Sequence, residues 1–207
     1  MDIGIDKLKS LIQNMATLSE ETISDAIDSY YTGKNMREEI FTSSSKLRIL
    51  EDEVSELSVE LIARYQPVAT SLRFIKSCME ISYGFSRFGR YAYDIAQLLD
   101  IFGELSDCDH KPVKIAGDQT KEMINLAIKS FTSRDISIAK KIRDMDTLVD
   151  EIYMEFIKSA SKASEKNLKC TVSGALILRY IERAADHATY IGDSVVYIVS
   201  GDRVART

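Results

Sequence analysis

Tryptophan is absent from this 207-residue chain, and only two prolines and nine glycines interrupt it. A sheet fold with many tight turns draws heavily on glycine and proline, so their scarcity excludes that class and favours long helices. An all-α fold is expected. Cysteine occurs three times, at Cys78, Cys108 and Cys170, an odd number without C-x-x-C spacing, so neither a disulfide framework nor a zinc site is expected. Reduced cytosolic thiols fit that pattern. No run of eighteen apolar residues occurs, and Met1 to Leu11 mixes Asp2, Asp6, Lys7 and Lys9 among its apolar residues. Neither a secreted nor a membrane-spanning chain is expected, and a cytoplasmic location is expected. Basic surplus is also missing, because the net charge is −5, which argues against a nucleic-acid partner.

What the chain does have is apolar residues, 45% of the total, at helical spacing. Leu47, Leu50, Val54, Leu57 and Leu61 alternate steps of three and four, as do Ile142, Met145, Val149, Ile152 and Phe156. Small residues enter two later stripes: Phe85, Gly89, Ala92 and Ala96, then Leu178, Ile181, Ala185, Ala188, Gly192 and Val195. Pro67 and Pro112 mark stops, since proline lacks a backbone donor and disfavours helix in the residue before it. Around Pro112 the halves correspond weakly: Glu21–Thr32 with Glu122–Ser133, Glu51–Leu57 with Asp146–Ile152, and Phe85–Ala96 with Ile181–Gly192. Two units follow, residues 1–110 and 111–207. With leading helices at about 5–32 and 117–133, each unit is expected to be a three-helix bundle.

Four acids stand beside the core positions of the second unit. Asp146 and Asp150 directly follow Met145 and Val149, and Glu182 and Asp186 directly follow Ile181 and Ala185. At about 100° per residue each pair stacks one turn apart at the margin of its apolar stripe. In an antiparallel hairpin Asp146 lies level with Asp186 and Asp150 with Glu182, because both pairs centre on Lys166, within the polar stretch Ser161–Lys169. Four facing carboxylates repel unless a cation lies between them, and all-oxygen ligands suit hard cations, iron or manganese. The plainer alternative neutralises them within their own helices, Arg143 with Asp146, Arg179 with Glu182 and Arg183 with Asp186.

The first unit keeps the register and changes the chemistry. Its equivalent positions are Glu51 and Ser55 on one helix and Ser86 and Arg90 on the next, centred beside Pro67. One acid opposite one guanidinium needs no metal, so a Glu51–Arg90 ion pair is expected there.

These residues carry a resemblance that spans both halves. Gln66-Pro67-Val68-Ala69-Thr70-Ser71-Leu72-Arg73, then Arg87-Phe88-Gly89 and Ala92-Tyr93-Asp94-Ile95-Ala96, resemble the Q-P-V-A-x-D-L-R and E-R-I-G-D-x-A-x-x-I-A patterns of the PhoU family of phosphate-uptake regulators. Arg179-Tyr180-Ile181-Glu182-Arg183-Ala184-Ala185-Asp186-His187-Ala188-Thr189 is similar to its L-E-R-I-G-D-H-A-T, and Tyr197-Ile198-Val199-Ser200-Gly201 to its closing Y-L-V-x-G. The resemblance implies tandem three-helix bundles and metal sites, usually iron, built from paired E/D-x-x-x-D motifs. Asp146–Asp150 and Glu182–Asp186 match those motifs; Ser71, Ser86 and Arg90 stand where the first half should carry acids, which implies that its metal site is lost. Tyr190 replaces the family's Asn, and Asp193 replaces its later Glu and is expected as an outer ligand. Iron is the first expectation for the cation, with zinc, manganese and magnesium as alternatives.

Regulation rather than turnover is what the resemblance implies. Such proteins restrain phosphate import and starvation signalling by contacting a phosphate-specific ABC transporter, in many bacteria together with a sensor histidine kinase, and reach the membrane only through that partner. The oligomeric state stays open, a homodimer included. Two rival readings stand beside this one: a carboxylate-bound iron or manganese enzyme, and a helical adaptor without metal. His187, one residue past Asp186, is expected to turn away from the acidic face as a solvated or locally hydrogen-bonded imidazole. His110 is expected in a polar turn, and no Ser-His-acid or Cys-His arrangement is present.

Overall fold

The computed structural model describes residues 1–162 and 168–202. Six helices follow one another: α1 (Asp2–Thr32), α2 (Arg37–Tyr65), α3 (Ala69–Phe102), α4 (Lys111–Ser133), α5 (Ile136–Ala160) and α6 (Leu168–Ser200). No strand occurs among the described residues. The helices begin and end where local chemistry requires. Gly33 closes α1 in the left-handed region at φ 66°, a conformation that glycine adopts without a Cβ clash. Pro67 separates α2 from α3, and Pro112 occupies the first turn of α4, where its missing N–H costs nothing. Asp135 caps α5 by accepting a hydrogen bond from the Ser137 amide at 2.8 Å.

α1, α2 and α3 form one three-helix bundle and α4, α5 and α6 a second. The bundles join along α3 and α6, with a smaller contact of α1 against α4. Every residue of the two small-residue stripes on α3 and α6 is buried. Close approach explains why glycine is there: a Cβ on Gly89 would sit 2.7 Å from Cδ1 of Leu47 on α2, and, where the bundles meet, one on Gly84 would sit 2.9 Å from Cγ1 of Ile191 on α6. Phe85 and Phe88 are fully buried beside each other, and the apolar core runs without a break from the first bundle into the second.

The expectation of three free thiols is corrected. Cys108, in the segment between α3 and α4, is bonded to Cys170 in the first turn of α6, 62 residues away. That segment folds across the start of α6, where Lys169 also donates to the Glu104 carbonyl at 2.6 Å, and no count of cysteines reveals such an approach. Cys78 is free and buried, and burial pushes its thiol up to about 12. The turn expected around Lys166 lies outside the described residues, but α5 and α6 on either side of it do pack together.

Candidate metal centre

The acids of the second unit come from two helices whose cores hold them in place. Val149 is buried on α5, and Ile181 and Ala185 on α6, so the residues that follow them stand at the edge of the buried face. Asp146, Glu182 and Asp186 are half-buried there and Asp150 is exposed. All four act on one another electrostatically: Asp150, Asp186 and Glu182 each raise Asp146, and Asp150 raises both Glu182 and Asp186. Burial is the larger cause in every case. It and the three neighbouring carboxylates push Asp146 up to about 7.

Partners then divide the four. Arg179 donates to both oxygens of Glu182 at 2.8 Å, and Arg183 reaches Glu182 at 3.8 Å and Asp186 at 3.7 Å. Two of the three intrahelical pairs weighed from the sequence therefore form. The third does not: Arg143 turns instead to Asp193, which sits half-buried on α6. Asp193 is thus engaged by a guanidinium, and it is not among the groups that act on Asp146. Losing Arg143 leaves Asp146 without a cation, and its Oδ1 is buried and accepts no hydrogen bond. The Thr189 hydroxyl, buried and without another partner, is the one neighbour that lowers Asp146, as a hydrogen-bond donor to its carboxylate.

An orphaned carboxylate oxygen beside three further carboxylates is a donor set that suits a hard cation. As they stand, no three His, Cys, Asp or Glu residues among those described converge closely enough to enclose one, so binding requires the side chains to close together. A cavity of about 560 Å³ at the ends of α1 and α3 is lined by none of these acids.

The first unit departs from its expected pairing. Arg90 bonds Asp94 on its own helix at 3.1 Å and not Glu51 across the hairpin. An i,i+4 partner is reached without spanning two helices. His187 faces away from the acids but is half-buried and not simply solvated: its ring packs against Tyr83 and Tyr91 of α3 and Tyr190 of its own helix, and its Nδ1 is buried without a partner. Burial first, then Arg87 and Arg183, lowers it to about 4. His110 precedes α4 with its ring centroid 4.6 Å from that of Tyr30.

The PhoU domain family model matches this chain twice, at residues 12–99 and 113–195. The chain belongs to the PhoU family. The PhoU homolog 1 of Thermotoga maritima, a phosphate-specific transport system accessory protein, is 26% identical over 94% of this chain and 86% of its own length. A PhoU homolog from Aquifex aeolicus with the same description is 27% identical over 97% of this chain and 93% of its own. Two solved structures share the fold: PhoU from Pseudomonas aeruginosa, at TM-score 0.89, 24% identity, 97% of this chain and 99% of that one, and PhoU from Streptococcus pneumoniae, at 0.90, 21% and 99% of both.

Proposed function

We propose that this PhoU-family chain is a regulatory accessory protein of phosphate uptake, acting by contact with a phosphate-specific ABC transporter and a sensor histidine kinase. Its relatives' description as accessory proteins of the phosphate-specific transport system supports this reading. A cytoplasmic position, on the inner side of that transporter, goes with it. Among the described residues no helix is long and apolar enough to cross a membrane, and in this reading the membrane is reached through the partner.

On the second bundle the protein would hold a cation, iron first, on Asp146, Asp150, Glu182 and Asp186. The buried, unpartnered Oδ1 of Asp146 among three other carboxylates carries this part of the reading. Asp193 joins the ligands only if Arg143 releases it. A bound metal would supply positive charge that offsets the carboxylates and fixes the shape of that face. Glu182 and Asp186 would have to leave Arg179 and Arg183 to reach it, so the arginines set how readily the site closes.

Metal analysis of freshly purified protein tests the site. Wild type is expected to carry metal, and the variant with Asp150→Ala and Glu182→Ala to carry none; equal content in the two would rule out these ligands. Co-purification with the phosphate-specific transporter tests the regulatory role independently, and retention of transporter contact by a metal-free variant would leave that role standing without the cation.

A further inference from the structure

The seam between the bundles carries a second charged feature, opposite in sign to the carboxylate face. An open cleft of about 530 Å³ lies between α3 and α6, lined chiefly by charged and aromatic side chains. Four arginines line it: Arg87 and Arg90 from α3, Arg179 and Arg183 from α6. Asp94 is the single carboxylate in its lining. The pattern has a source in the sequence. Arg87 and Arg183 occupy the same place in the two corresponding segments, and Arg90 stands where the second unit has Asp186. The position that lost an acid gained a cation, and the packing of α3 against α6 brings all four guanidiniums to one opening.

Several of these side chains are already held. Nε and Nη2 of Arg87 donate to the Tyr91 hydroxyl at 3.3 and 3.1 Å, with the guanidinium 4.8 Å from the ring centroid. Arg179 is fixed by Glu182, and Arg90 by Asp94. Arg183 has only the long contacts to Glu182 and Asp186, which leave its donors available. Tyr91 and Tyr180, stacked with centroids 6.3 Å apart, also line the cleft.

We propose that this cleft between α3 and α6 binds a compact phosphate-bearing anion on Arg87, Arg90, Arg179 and Arg183. Guanidinium forks match the tetrahedral oxygens of phosphate in pairs, and they are less strongly hydrated than ammonium groups. Four of them around one opening suit a ligand with two or more linked phosphates better than a single one. Glu182 and Asp186 hold Arg179 and Arg183, so the cleft shares these two arginines with the proposed cation site, and an anion must compete with the two acids when no cation draws them away. Asp94 competes for Arg90 and therefore weakens binding.

Calorimetry on the full chain, treated with chelator and dialysed into 0.1 M salt, tests the site with inorganic phosphate, pyrophosphate, ADP and citrate. Saturable binding of pyrophosphate at one per chain, tighter than that of inorganic phosphate and of citrate, is expected. ADP binding tighter than pyrophosphate identifies a nucleotide as the source, and equal binding identifies the inorganic chain. Combined Arg90→Ala and Arg183→Ala substitution should weaken pyrophosphate about 100-fold or more, with helicity by circular dichroism unchanged. Arg183→Lys, which keeps the charge and loses the fork, should weaken it about tenfold. Asp94→Asn should tighten it several-fold, an effect that a purely structural role for these residues does not produce. The proposal fails if no phosphate probe saturates, if citrate binds as tightly as pyrophosphate, or if the double arginine variant binds like wild type.

Discussion

The two hairpins that flank the α3–α6 seam keep one register and opposite chemistry. In the second unit, α5 and α6 set four carboxylates within reach of one another and leave Asp146 without a counter-charge. In the first, the matching positions hold Glu51, Ser55, Ser86 and Arg90, and the guanidinium turns along its own helix to Asp94. Both faces sit at the margin of a buried stripe, so neither decides whether the helices pack. Charge at such a margin can be inverted with the backbone intact, which is why one fold can carry a carboxylate cluster on one unit and an arginine-lined cleft beside the other.

If the units share packing and differ only at those margins, damage to the seam should be felt by both. Phe88 on α3 is fully buried in a core that runs through both bundles. Phe88→Ala should lower the unfolding free energy by roughly 3–5 kcal/mol. Denaturant unfolding followed by circular dichroism should remain a single transition at lower midpoint. Two separated transitions would show that the bundles are energetically independent, and the likeness of their cores would then carry less weight.

Grafting one face onto the other is the sharper test. Ser55→Asp, Ser86→Glu and Arg90→Asp, with Glu51 in place, would give the α2–α3 hairpin the acids of the α5–α6 hairpin. In metal-free protein the crowded carboxylates should cost roughly 1–2 kcal/mol of stability, read from the same denaturant midpoint. Metal content should rise by one equivalent per chain. A graft that stays empty would mean that the orphaned oxygen of Asp146 and its burial matter more than the number of acids.

Much of this arrangement was legible in the sequence for a physical reason: apolar spacing and two prolines constrain helices directly. The stripe Phe85, Gly89, Ala92 and Ala96 and its counterpart on α6 are buried as their spacing requires. The hairpin register brought Asp146, Asp150, Glu182 and Asp186 within electrostatic reach of one another. Side-chain choices among competing partners were not legible. Arg143 prefers Asp193, fifty residues along, to Asp146 three residues away, and Arg90 prefers Asp94 to Glu51. The Cys108–Cys170 bond and the burial of His187 depend on how a connecting segment and two bundles meet, which periodicity within one helix does not encode. The four-arginine cleft belongs to the same class, since it exists only where α3 meets α6.

The smallest expected effect compares the two units through a single carboxyl in the first. Asp94 is raised above the ordinary aspartate range by burial, against which Arg90 pulls most strongly and Arg87 less. Arg90→Ala removes the stronger pull and leaves the burial, so Asp94 should titrate at higher pH still, followed by carboxyl carbon chemical shifts in NMR. A carboxyl whose folded pKa lies above its unfolded one is protonated more readily in the folded state. Its contribution to stability therefore falls as pH rises through the interval between the two, and the variant should widen that interval upward. An unchanged or lower titration point would mean that Arg90 does not hold Asp94 in solution. Arg90 would then be free to face Glu51, and the first unit would be the simple ion-paired counterpart of the second that its sequence suggests.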